Sequence, residues 1–214
     1  MRVVFLFLFA SIFSILAISS TKVTKISSNL GVVWGMTFLD ENNMLISQKK
    51  GKISLLDLKS KTITNIKNVP KVFNKGQAGL FDIQNKNGWI YLTYAKNING
   101  KGSTTLARAK LDKDSLVNFQ ELLVSKSLSN TTAHFGSRIT FDESGHLFFS
   151  IGDRGVRENG QNLKTHAGSI LRLNLDGTVP KDNPFVNNFK ALNEIYSYGH
   201  RNPQGIFYDK QSKK

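Results

Sequence analysis

Four short clusters in this 214-residue chain set glycines beside side chains that can move protons or bind anions. They are Lys75-Gly76-Gln77-Ala78-Gly79, Ala133-His134-Phe135-Gly136-Ser137-Arg138, Ile151-Gly152-Asp153-Arg154-Gly155 and Tyr198-Gly199-His200-Arg201-Asn202-Pro203-Gln204-Gly205. The last is the hardest to read as a plain turn. Its Arg201 and Asn202 together supply a planar cationic fork and amide donors, which suit carboxylates or quinone oxygens. His134 exchanges protons near neutral pH, and beside glycine and arginine it reads equally as a catalytic base and as a satisfied loop histidine. Gln77 between glycines, taken alone, is a turn residue. Gly152-Asp153-Arg154-Gly155 taken alone is a tight turn with an Asx hydrogen bond. His146 at a turn reads as structural, and His166 has no evident place.

These clusters sit in a chain that is β throughout after residue 22. Apolar runs of four to seven residues alternate with Gly, Asn, Asp and Ser. The best helical stretch, Leu116 to Leu123, is spoiled by Val117-Asn118-Phe119. A strand, a polar turn and a second strand recur. The unit starts at Gly35, Gly79, Ser137 and Gly205, with spacing lengthening from 44 to 68 residues. That figure fits four-stranded propeller blades with growing loop insertions and predicts three blades and the first strand of a fourth. The first, second and fourth clusters each lie just before the first strand of a unit. In a propeller that strand lines the central channel, so polar groups from successive blades converge on one pocket.

Composition narrows the function. The chain is 40% hydrophobic, and the absence of cysteine excludes a disulfide scaffold and thiolate chemistry. The net charge of +14 comes from lysines scattered through turns and strand ends. Runs such as Lys49-Lys50-Gly51-Lys52 are short. That is a solvated basic surface suited to anionic small ligands and acidic partners, not a nucleic-acid groove. The sequence has no phosphate-binding Walker loop, no Gly-x-Ser-x-Gly elbow and no His-Glu-x-x-His. Arg2 followed by apolar Val3 to Ile18 and then Ser19-Ser20-Thr21-Lys22 has the layout of a signal peptide. Cleavage after Ser19 is expected, leaving residues 20–214 as an exported, periplasmic or secreted domain with no stable membrane span.

The clusters together resemble the soluble pyrroloquinoline quinone (PQQ)-dependent sugar dehydrogenases of the glucose/sorbosone and aldose type. Further matching stretches are Trp34-Gly35-Met36-Thr37-Phe38, Leu171-Arg172-Leu173-Asn174-Leu175-Asp176-Gly177 and Pro180-Lys181-Asp182-Asn183-Pro184. They occur in the family's order across nearly all the chain after the leader. The resemblance implies a six-bladed β-propeller and oxidation of the anomeric hydroxyl of aldoses to lactones. It also implies an external electron acceptor and the cofactors PQQ and Ca²⁺. On it, His134 is the general base and Asp153 the carboxylate that orients it or binds substrate. Gln77 donates a hydrogen bond to the sugar. Arg201 and Asn202 hold the reactive quinone oxygen, and Gln204 lines the cofactor pocket. The family's calcium-binding loop and its later basic residues fall past Lys214. The resemblance therefore implies a truncated propeller, inactive alone, with no metal ligand within these residues.

Two other functions compete: a calcium-dependent lactonase-type propeller and a non-catalytic propeller binding module. His134, Arg138, Arg201 and Asn202 at the channel entrances favour an anionic cofactor over the first.

Overall fold

The computed structural model describes residues 21–28 and 30–214. The leader expected over residues 1–19, and its boundary at residue 20, lie outside the described residues. No helix among the described residues is long and apolar enough to cross a membrane.

Three four-stranded antiparallel sheets make up the fold. The first holds β1 (Val33–Phe38), β2 (Asn43–Gln48), β3 (Lys52–Asp57) and β4 (Ile63–Asn65). The second holds β5 (Leu80–Lys86), β6 (Trp89–Ile98), β7 (Lys101–Asp112) and β8 (Ser115–Val124). The third holds β9 (Ile139–Phe141), β10 (His146–Ile151), β11 (Ser169–Asn174) and β12 (Ile195–Tyr198). Each sheet is a meander in which neighbours in sequence pair in space. The sequence figure of strand, turn and strand is thus the inner half of each blade, and Leu116 to Leu123 lies in β8.

Local chemistry sets the hairpins. Asn87-Gly88 joins β5 to β6 with both residues at positive φ, 53° and 70°. Asn99-Gly100 does the same between β6 and β7, at 49° and 80°. Two-residue loops with that backbone match the twist of the strands they connect. The register follows, with Lys86 opposite Trp89 and Ile98 opposite Lys101.

The alternation of β6 explains how the blades stack. Ile90, Leu92 and Tyr94 pack with Leu45, Ile53, Leu80 and Ile83 of the first two blades. Tyr91, on the opposite face, packs with Leu106, Leu147, Phe149 and Leu171 toward the third. Each of these side chains is at most 3% exposed, and full burial contributes about 1.5–3 kcal/mol apiece. The inner strand β5 lies between β1 and β9. Thr37 Oγ1 accepts the Asn85 N–H at 3.1 Å, and Asp82 Oδ2 accepts the Ile139 N–H at 2.9 Å.

The structure departs from the expected fourth unit. Gly205 to Asp209 form no strand, because a strand needs neighbours to satisfy its backbone. Asp209 and Lys214 instead exchange backbone hydrogen bonds across a closing turn.

His146 is structural, as expected: its Nδ1 lies 2.7 Å from Asp142 Oδ2 at a hairpin of the third blade. His166, unplaced by sequence, is a buried clasp between blades. Its Nδ1 accepts the Lys126 N–H at 3.1 Å, so Nε2 carries the proton, 3.3 Å from Glu194 Oε2. That hydrogen bond is the main cause holding the Glu194 carboxyl below its ordinary 4.5. A lowered carboxylate pKa stabilises the fold above the ordinary value and ceases to do so as pH falls through the lowered one. Glu194→Gln is therefore expected to lower Tm at neutral pH and to melt like wild type in acid well below that lowered value. Melting curves at both pH values check this, and a Tm deficit persisting in acid would contradict it.

Candidate active site

Antiparallel pairing brings all four clusters to one end of the blades. The start of β9, the end of β10, the start of β11 and the end of β12 share that end, with Ile151 opposite Ser169 and Ser169 opposite Tyr198. The loop before β9 carries His134. The loop after β10 carries Asp153. The loop after β12 carries Arg201, Asn202 and Gln204, and the turn before β5 carries Gln77.

His134 and Asp153 meet directly, Nδ1 to Oδ1 at 2.7 Å, with side chains only 15% and 5% exposed. Asp153 Oδ1 also accepts the Gly155 N–H at 2.7 Å. The cluster is thus an Asx turn and the partner of a histidine at once. A carboxylate that only accepts leaves the proton of neutral His134 on Nδ1 and the lone pair on Nε2. Among the described residues Nε2 has no hydrogen-bond partner. The backbone of His134 is left-handed, at φ 52°, which is costly for a side-chain residue. Gln77 supports it: its Oε1 accepts the His134 N–H at 2.7 Å. That bond turns the amide so that Nε2 is the donor left to the pocket.

Asn202 closes the other side. Its Oδ1 accepts the Gly136 N–H at 3.1 Å and the Gln204 Nε2–H at 2.9 Å. Its own NH₂ has no partner among the described residues. Trp34, Gln77, Phe135, Gly136, Asn202 and Gln204 line a cavity of about 320 Å³. Trp34 contributes to this lining, and its Nε1 is buried with no hydrogen-bond partner among the described residues, a state that costs free energy.

Arg201 lies in the loop after β12 and is exposed. Its carbonyl accepts the Asp153 N–H at 2.7 Å, but its exposed guanidinium lines a second opening of about 540 Å³ with Asp153 and His200. Arg201 thus lines this second opening, and Asn202 the first. His200 has Nε2 2.9 Å from Ser197 Oγ, and burial pushes its imidazole below the ordinary value.

Sequence reasoning undervalued two arginines. Arg138 donates to the carbonyls of Gln204 (2.8 Å) and Trp34 (2.9 Å) and lies 3.5 Å from Asp82 Oδ1. It ties the channel ends of three blades together. Burial raises the Asp82 carboxyl, and Arg138 and backbone N–H groups oppose that rise. The second arginine is Arg154, fully buried behind His134. Their presence in the clusters was the only sequence signal, and nothing local distinguishes a buried arginine from a solvated one. Among the described residues no group of three or more His, Asp or Glu side chains converges to hold a metal ion.

Residues 30–214 match the protein-family model described as glucose/sorbosone dehydrogenase. The chain belongs to the glucose/sorbosone dehydrogenase family. It is 31% identical to the aldose sugar dehydrogenase YliI of Escherichia coli (strain K12), over 88% of this chain and 53% of that protein. It is 29% identical to quinoprotein glucose dehydrogenase B of Acinetobacter calcoaceticus, over 88% of this chain and 46% of that protein. A solved structure of the PQQ-bound aldose sugar dehydrogenase of Streptomyces coelicolor superposes with a TM-score of 0.77 at 25% identity. That superposition covers 88% of this chain and 56% of the other. The chain therefore spans about half the length of the curated family members it matches. It supplies three blades of the six-bladed propeller of this dehydrogenase family.

Proposed function

We propose that this chain is the base-bearing half of a PQQ-dependent dehydrogenase that oxidises the anomeric hydroxyl of aldoses to lactones. The observation that carries the reading is the His134–Asp153 pair, whose Asp153 lines one cavity while Gln77 and Phe135 beside His134 line the other, with Nε2 unpartnered among the described residues and Gln77 holding the backbone. His134 Nε2 would take the hydroxyl proton. Asp153 would keep that ring in the accepting tautomer and stabilise it once protonated. Gln77 Nε2 would hold a sugar oxygen.

The donor set fits the cofactor implied by the family. Among the described residues Arg201 has no ion-pair partner and the Asn202 NH₂ no hydrogen-bond partner, and these two cavity-lining residues suit a planar, carboxylate-bearing quinone. When bound, PQQ supplies the carbonyl that accepts the hydride. Ca²⁺ enters this reading through the family alone, and no residue here is assigned to it. The leader-like residues 1–19 support an exported location.

The test uses the full-length gene product loaded with PQQ and Ca²⁺. Aldose-dependent dye reduction is expected. Arg201→Ala is expected to weaken PQQ binding, followed by its absorbance, about 10- to 100-fold, the size of one charge-assisted contact. A loaded protein that turns over no aldose, or binds PQQ equally well without Arg201, would sink the corresponding part of the reading.

A further inference from the structure

We infer that Arg154 is a positioning residue for His134: its buried guanidinium fastens the loop that carries the imidazole, in place of the strand ladder that loop lacks. Residues 125–138 belong to no strand. Arg154 is 0% exposed and has no carboxylate partner among the described residues. Its Nε donates to the Ala133 carbonyl at 3.1 Å. Its Nη1 donates to the carbonyls of Ser127 (2.6 Å) and Gly102 (3.0 Å), and Nη2 to that of Thr131 (3.3 Å). The guanidinium carbon sits 3.8 Å from the centre of the Phe135 ring. The grip is reciprocal, since the Thr131 hydroxyl donates to the Arg154 carbonyl.

A buried charge without a counter-ion is costly and persists only when well solvated by protein groups. Here carbonyl dipoles and an aromatic face provide that solvation. Burial pushes the guanidinium down to about 10, still charged at neutral pH. The contacts bracket the base: Ala133 precedes His134 and Phe135 follows it. Asp153, the imidazole's partner, is the residue before Arg154. One side chain thus couples the two halves of the pair, and it offsets the left-handed backbone of His134. Lysine keeps the charge but lacks the planar fork that reaches several carbonyls at once.

The inference deepens the proposed reaction and rests on it only for its catalytic consequence. The test is NMR of the labelled full chain, without quinone or sugar. In wild type the Nδ1–H proton of His134 is expected at low field and protected by Asp153. In Arg154→Lys that signal is expected to vanish by exchange with water. The His134 backbone amide is expected to exchange at least about 10-fold faster, with blade amides such as Leu45 unchanged. In the loaded complete protein, kcat is expected to fall about 100-fold with KM little altered. A folded Arg154→Lys protein with both His134 signals intact overturns the inference, whatever its kcat. If that variant does not fold, Phe135→Leu, which removes the ring face, must weaken the same two signals, and unchanged signals overturn the inference. Loss of the signals in a protein whose wild type oxidises no aldose supports the positioning role and sinks only the proposed reaction.

Discussion

His134→Ala is expected to lower kcat of the complete, PQQ-loaded protein by about 10²- to 10⁴-fold, the usual contribution of a general base. Quinone affinity should be unchanged, because the donors assigned to the quinone come from Arg201 and Asn202. The separation matters physically. His134 Nε2 has no protein partner, so its removal breaks no structural bond at that atom, whereas the backbone N–H bond to Gln77 survives in alanine. Asp153→Asn offers a second view of the same site. An amide can present its N–H to Nδ1, which would then accept and place the proton on Nε2, the wrong tautomer for a base. Its kcat should fall nearly as far with the fold intact. Steady-state dye reduction with PQQ titrations checks both variants. Near-normal turnover in His134→Ala would mean that another group takes the proton.

Gly152→Ala is expected to damage both the fold and the site. A Cβ there would lie 2.3 Å from the His134 carbonyl oxygen and 3.0 Å from Asn202 Oδ1. The first is backbone and cannot swing aside. The two loops must part, which would pull His134 from Asp153 and Asn202 from Gly136. Overpacking of this kind costs about 1–3 kcal/mol, and misplacing the base by an ångström costs about 100-fold in rate. Gly205→Ala is the control: a Cβ there meets nothing within 4 Å, and its stability should stay within about 0.5 kcal/mol of wild type. Urea unfolding of the three proteins measures the difference, and equal midpoints for Gly152→Ala and wild type would refute the close approach.

The glycines of the second and third clusters thus act as a pair. Gly136 has φ +64°, and a Cβ on it would lie 2.9 Å from backbone atoms of Ser150, Ile151 and Gly152. With Gly152 it lets the loop before β9 lie flat against the loop after β10. The sequence showed these glycines beside His134 and Asp153, but not that each made room for the other's loop.

Strand positions were legible because their cause is local. Alternation with period two and Asn-Gly turns are properties of a few neighbouring residues, and each expected strand pair before residue 200 appears as an antiparallel hairpin. The segment 205–209 carries the same local pattern and forms no strand, since pairing needs a neighbour that the pattern cannot supply. The convergence of the first, second and fourth clusters was legible too, because it follows from blade topology. Which atoms meet was not. Gln77 reaches His134 across 57 residues, and Asn202 reaches Gly136 across 66. Arg154 and Arg201 look alike in sequence, yet one is buried among carbonyls and the other faces a cavity. Residue type and spacing alone set the fold class, the end of the blades that bears the site and the side chains available there. The stacking of one blade on the next decided the tautomer of His134, the orientation of Gln77 and the burial of Arg154, because hydrogen-bond partners so distant in sequence are chosen only when whole sheets come into contact.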